Sequence, residues 1–193
     1  MDFLASLPAP LTAPSRSFFA QWHRWRGDRL LPRRSAMDAN GLGDLRGYCL
    51  LLDIRGRDSI PICFAGNMVV ELLGTDLAGR NYLDLTEPEN RSRRAALLFA
   101  EIAQPCAAVI YYWLQSARGR TLPVELVSAP LCNDDTDQPS LVLACATPLV
   151  PGKGGDVMQA ASYTEGEGLR FIDIGAGIPP VGADMAMFGH SIQ

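Results

Sequence analysis

The sequence is poor in lysine and histidine and has no long uncharged segment. Lys153 is the single lysine among 193 residues, and His23 and His190 are the two histidines. The longest stretch without Asp, Glu, Lys or Arg, Ile102–Ala117, is too short and too polar to cross a bilayer as a helix. No basic residue precedes Arg16, so we expect no secretory signal peptide. A membrane partner is therefore not expected, and the 48% hydrophobic and 20% charged residues are typical of a folded soluble chain.

The five cysteines match neither a disulfide framework nor a zinc site. Their number is odd, their spacing is wide, and no C-x-x-C pair occurs. All except Cys132 lie inside apolar runs, where a cysteine acts as a small hydrophobic residue. We therefore expect reduced and buried thiols, with Cys132 as the one exception, and a cytoplasmic location. The five are Cys49, Cys63, Cys106, Cys132 and Cys145.

Charge divides the chain into three regions. Residues 1–35 carry a net charge of +4, residues 36–148 carry −5, and residues 149–193 carry −3. The last region holds nine of the 18 glycines, and the first begins with prolines and no periodicity. We expect a flexible arm at 1–15, one folded domain at 16–148 that includes an N-terminal helix, and a Gly-rich C-terminal tail at 149–193.

An aromatic stripe marks the N-terminal helix. Phe18, Trp22 and Trp25 are spaced as i, i+4 and i+7, which places them on one face of a helix that ends at Gly27. Five arginines in and after this helix resemble a nucleic-acid patch. Packing explains the shared aromatic face better, and the net charge of −4 argues against a polyanion partner, so nucleic acid is not expected.

Apolar runs and turn signals predict five strands and two further helices. A polar connector joins the first two strands as a hairpin, and short turns join the last three, so the sheet is antiparallel. In the longer helix, Ala95, Leu98 and Ile102 form an apolar stripe. The fold class is α+β: a five-stranded antiparallel sheet with helices on one face, plus the N-terminal helix. The predicted strands are 45–54, 60–65, 106–116, 121–131 and 140–147, and the predicted helices are 67–73 and 86–103.

Two segments carry a family resemblance. Residues 18–38 read FFAQWHRWRGDRLLPRRSAMD, an aromatic helix followed by Leu-Pro and a basic pair. Residues 64–85 read FAGNMVVELLGTDLAGRNYLDL, a strand, a helix and a Gly-Arg turn. With the order of its elements, the chain resembles PAS domains over residues 16–148, and among them the single-PAS proteins of alphaproteobacteria. The resemblance implies a PAS-like fold, a role in bacterial signal transduction and frequent self-association, and it implies no catalytic residues.

A PAS-like fold also implies a small apolar space between the sheet and the short helices. Both histidines lie outside the predicted core, so no haem ligand is evident, and the Asn-Cys-Arg-Phe block of flavin photoreceptors is missing. We therefore expect no cofactor. A core filled by its own side chains and a core that holds an apolar ligand are both compatible with the sequence. The candidate pocket wall is Phe64, Met68, Leu72, Leu98, Tyr112 and Leu126.

Three other patterns in the sequence resemble parts of catalytic or ligand-binding sites. His23 has no evident partners for a Cys–His nucleophile, and we expect it to face solvent. The acidic run Asp134–Asp137 lacks the spacing of a calcium loop, so a solvated hairpin loop is favoured. The glycines of Gly175–Gly177 precede two prolines, which prevent the helix that a dinucleotide site needs. We therefore expect no metal, no catalytic residue and no enzymatic activity.

These observations favour a sensory or regulatory module without an attached output domain, because 45 residues after the last predicted strand cannot hold one. Such a module would act through protein–protein contacts, with an unidentified protein partner or as a homodimer. The alternative is a small-molecule sensor that binds an apolar ligand in the pocket. The candidate residues for the dimer or partner interface lie on the N-terminal helix: Phe18, Phe19, Trp22 and Trp25.

Overall fold

The computed structural model describes residues 4, 7, 11–38, 40–86, 88–115, 121–149 and 169–180. The α+β class is confirmed, because helices pack on an antiparallel sheet. Short 3-10 helices cover Arg34–Ala36, Gly43–Tyr48 and Tyr82–Leu85. The helices are α1 (Ala13–Arg26), α2 (Asn67–Leu73) and α3 (Pro88–Ala103), and the strands are β1 (Cys49–Asp53), β2 (Ile62–Ala65), β3 (Cys106–Gln115), β4 (Thr121–Cys132), β5 (Pro139–Pro148) and β6 (Leu169–Asp173).

The sheet has six strands in the order β2-β1-β5-β4-β3-β6, and all neighbours are antiparallel. The five predicted strands are all present, but the predicted strand number was wrong. The sixth strand, β6, lies in the segment that was assigned to the Gly-rich tail. It pairs with the first half of β3, from Cys106 opposite Asp173 to Ile110 opposite Leu169. Only long-range pairing identifies this strand, because five residues between glycine-rich segments carry little local signal.

Each face of the sheet is covered by helices, which makes two separate cores. Alternating strand residues point to opposite faces. Residues such as Leu51, Val127 and Leu143 belong to the core under α1, which we call the α1 face. Residues such as Leu52, Leu126 and Val142 belong to the core under α2 and α3, which we call the α3 face.

Helix α1 docks on β4 and β5 through the predicted aromatic stripe. Phe18 and Trp22 are fully buried, and the indole N–H of Trp22 donates to the carbonyl of Pro130 at 3.0 Å. Phe19 lies next to the stripe and is equally buried, and Trp25 is half-buried. Thr12 caps the helix, because its side chain accepts from the backbone N–H of Ser15.

A β-bulge in β2 changes which side chains face each core. Leu51 pairs with Phe64 but Leu52 pairs with Ile62, so Cys63 has no opposite residue. The extra residue turns Phe64 to the α1 face while Ile62 stays on the α3 face. It also leaves Cys63 exposed, so the prediction that Cys63 is buried was wrong. The other four cysteines, including Cys132, are buried.

Candidate functional site

The α3 face contains one fully buried carboxyl group, that of Glu101. Its Oε1 accepts a hydrogen bond from the hydroxyl of Ser128 at 2.9 Å. Its Oε2 has no hydrogen-bond partner among the described residues. Burial raises the pKa of Glu101 to about 8, and the hydrogen bond from Ser128 only partly opposes this. The carboxyl is therefore mainly protonated at neutral pH.

A cation lies between two aromatic rings nearer the start of α3. The guanidinium of Arg94 donates to the hydroxyl of Tyr82 at 3.0 Å. It lies 5.9 Å from the ring centroid of Tyr82 and 5.7 Å from that of Tyr112. Burial raises the pKa of Tyr112, so its hydroxyl stays neutral. These contacts tie α3 to β3 and to the segment before α3.

The predicted pocket wall is only partly assembled. Leu98 and Leu126 are buried in the α3-face core, and Tyr112 packs against it. Leu72 is half-buried on α2. Met68 and Phe64 do not join the other four residues, because Met68 is 37% exposed and Phe64 lies on the α1 face.

The orientation of α2 explains the position of Met68. Gly66 is the N-cap of this helix, and Val69 is its buried residue. A Cβ atom on Gly66 would lie 2.3 Å from the carbonyl oxygens of Arg46 and Gly47, so this close approach requires glycine. The contact fixes how α2 is rotated, and it places Met68 beside Gly47 instead of inside the core.

A groove of about 200 Å³ lies on the α1 face, where α1 does not cover β1 and β2. Its apolar floor is formed by the half-buried Phe64 and by Leu51 and Leu143, which are both buried. The exposed residues Arg34 and Arg46 also line the groove, and the guanidinium of Arg46 is 5.2 Å from the ring centroid of Phe64. This groove could not be predicted from the sequence, because the position of Phe64 depends on the bulge in β2.

The residues proposed for self-association pack against the sheet of their own chain. Phe18, Phe19 and Trp22 are each 0% exposed, because α1 covers one apolar face of its own sheet. In the docked position of α1, these three side chains are not accessible to a second chain. Trp25 is half-buried against the same core.

The two loop patterns that suggested ligands make internal contacts. Asp137 accepts from the guanidinium groups of Arg29 and Arg33 at 2.7 and 2.5 Å, so the acidic loop ties down the segment after α1. The backbone N–H groups of Gly175 and Gly177 both donate to the carboxylate of Asp173, at 2.7 and 2.8 Å. The amides that would hold a phosphate are therefore already occupied.

The described part of the chain contains neither a metal-binding cluster nor a helix that could span a membrane. No cluster of three or more His, Cys, Asp or Glu side chains that could hold a metal ion occurs there. Within the same residues, no helix has the length and apolar character needed to cross a membrane.

Comparison with known families gives one match over most of the chain. A family model described as a PAS domain matches residues 11–145. No curated protein sequence matches the chain.

Several solved structures are similar. The PAS domain of an HTR-like protein from Haloarcula marismortui is 16% identical, with 52% of this chain and 78% of that chain covered and a TM-score of 0.37. A LOV protein from Rhodobacter sphaeroides is 17% identical, with 65% and 74% covered and a TM-score of 0.44. The VqmA dimer from Vibrio cholerae is 16% identical, with 56% and 49% covered and a TM-score of 0.43, so this chain spans about half of VqmA.

Proposed function

The chain belongs to the PAS-domain family, and on that premise we propose that it is a regulatory module of the bacterial cytoplasm that passes its signal to another protein by direct contact and catalyses no reaction. All five cysteines are free thiols, which fits a reducing compartment. The partner in this proposal is a different protein, because the aromatic face of α1 is already occupied by the sheet.

One contrast between the two faces carries the proposal. On the α3 face, side chains from all six strands, α2 and α3 form one continuous apolar cluster. On the α1 face, a groove of about 200 Å³ is lined by the half-buried Phe64 and the exposed Arg34 and Arg46. A continuous apolar core on one face and a surface groove on the other favour a module that a partner recognises at its surface.

Native mass spectrometry of the tagged chain, purified gently from its own host, tests the proposal. We expect a discrete complex whose added mass is that of another protein, with no small molecule released on denaturation. Twice the mass of the chain would identify a homodimer and contradict a different protein as partner. A chain found alone would contradict the proposal.

A small-molecule sensor is the second candidate, because two buried polar atoms in or just before α3 have no hydrogen-bond partner among the described residues. They are Oε2 of Glu101 and Oγ1 of Thr86. A buried polar atom without a partner costs roughly 1–3 kcal/mol, which a bound molecule could recover. The ligand would be mainly apolar with a hydroxyl or amide group. In the same experiment, a stoichiometric small molecule released on denaturation would favour this candidate over the first.

A further inference from the structure

We propose that the groove on the α1 face binds a partner segment in which an apolar side chain is flanked by carboxylates. This inference rests on the proposed function and specifies the chemistry of the partner. The half-buried Phe64 and Met37 would contact the apolar side chain, and the exposed Arg34 and Arg46 would face the carboxylates.

The position of Phe64 in the groove depends on how β2 pairs with β1. The bulge at Cys63 turns Phe64 away from the α3-face core, where ordinary alternation from Ile62 would place it. Phe64 therefore leaves part of an aromatic ring accessible beside Leu51 and Leu143. Met37 adds a flexible, half-buried side chain to the lining, which can adapt to the shape of an incoming group.

The charges at the rim favour an acidic partner. Arg34 and Arg46 are exposed, and neither forms an ion pair with a carboxylate among the described residues. Arg33, the neighbour of Arg34, is by contrast paired with Asp137. The carboxylate of Asp38 also borders the groove, where its Oδ1 accepts the backbone N–H of Asn40 at 2.8 Å. Two guanidinium groups beside an apolar surface suit carboxylates that flank an apolar group.

The size of the groove favours a peptide segment as the occupant. Pockets for drug-sized ligands usually measure roughly 300–1,000 Å³, and this groove measures about 200 Å³. It has room for an anchoring side chain and is open on one side, so a flanking backbone can continue along the surface. A buried apolar anchor with polar residues around it is how small protein contacts usually gain affinity.

Fluorescence anisotropy on the full chain tests the assignment. The probes are two labelled peptides of equal length with a central Leu-Phe pair, flanked by glutamates in one and by lysines in the other. We expect the glutamate-flanked peptide to bind more tightly, and Arg34→Glu/Arg46→Glu to weaken it about fivefold to tenfold. The same double variant should bind the lysine-flanked peptide better than the unmodified chain does.

Arg170→Glu is the matched control. Arg170 is exposed on β6 at the opposite edge of the sheet, so its reversal should leave peptide binding within about twofold. The groove assignment would be overturned if the two peptides bound equally or if neither bound. It would also be overturned if Arg170→Glu weakened peptide binding as much as the double variant does.

The host complex separates this inference from the proposed function. If a partner complex forms in the host and survives Arg34→Glu/Arg46→Glu, the groove assignment fails while the proposed function stands. If the unmodified chain forms no partner complex, the proposed function itself fails. Loss of the complex in the double variant, but not in Arg170→Glu, supports both.

Discussion

Replacement of Glu101 by glutamine should make the protein more stable, and increasingly so as the pH rises. Glutamine keeps the shape of the side chain, and its carbonyl oxygen can still accept the hydroxyl of Ser128. It cannot ionise. The substitution therefore removes the titration of one fully buried carboxyl and leaves the packing of α3 in place.

The magnitude follows from proton linkage. The pKa of Glu101 is about 8 in the folded chain, against a reference value of 4.5. Between these values the unfolded chain loses a proton that the folded chain keeps, so the free energy of unfolding falls as the pH rises. One pKa unit corresponds to about 1.4 kcal/mol, so the full effect is on the order of 5 kcal/mol. Below the reference pKa this contribution vanishes, and above the folded pKa it is constant.

Urea unfolding followed by tryptophan fluorescence, from about pH 4.5 to pH 8.5, measures this difference. We expect the advantage of Glu101→Gln over the unmodified chain to grow steadily with pH across that window. Parallel pH profiles for Glu101→Gln and the unmodified chain would refute the assignment of a neutral, buried carboxyl.

Four further outcomes are expected. Glu125→Gln should destabilise the chain by roughly 1–3 kcal/mol in urea unfolding, because the carboxylate accepts from the backbone N–H of Thr12 and from the hydroxyls of Thr12, Ser15 and Tyr111. An unchanged midpoint would show that these hydrogen bonds do not hold the start of α1 on the sheet. Trp22→Ala should cost roughly 3–5 kcal/mol in the same assay, since the ring is fully buried and its N–H is bonded; a loss below about 1 kcal/mol would mean that α1 is not docked. Phe171→Ala should cost roughly 3 kcal/mol if β6 completes the sheet, whereas a neutral result would indicate a tail. A maleimide should label Cys63 in the native state while the four buried cysteines react only on unfolding; fast labelling of a second cysteine would contradict their burial.

The parts of the fold with a repeating local pattern could be predicted from the sequence. The spacing of Phe18 and Trp22 was sufficient to predict α1, because a helical period of 3.6 residues can be recognised without knowledge of tertiary contacts. The last three predicted strands are long and rich in β-branched and aromatic residues, and they fall where β3, β4 and β5 lie. The family resemblance was also confirmed by the match over residues 11–145.

The candidate site could not be predicted, because it depends on contacts between distant residues. The position of Phe64 follows from a bulge that only pairing with β1 creates. The rotation of α2 follows from the close approach of Gly66 to the backbone of Gly47. The predicted stripe of α3 used Ile102 and did not include Glu101, which the structure buries. The spacing of Leu98 and Glu101, three residues apart on one helical face, was the available signal.

Photo-crosslinking in the native host tests most directly whether this PAS-family chain acts by contact with another protein through its α1 face. A photoreactive amino acid replaces Ala36, between the groove residues Arg34 and Met37, in one strain and Arg170 on β6 in another. Both positions are exposed, so both variants should fold alike. The account predicts one protein-sized adduct from position 36 and none from position 170. No protein adduct from position 36, or the same adduct from both positions, would contradict it.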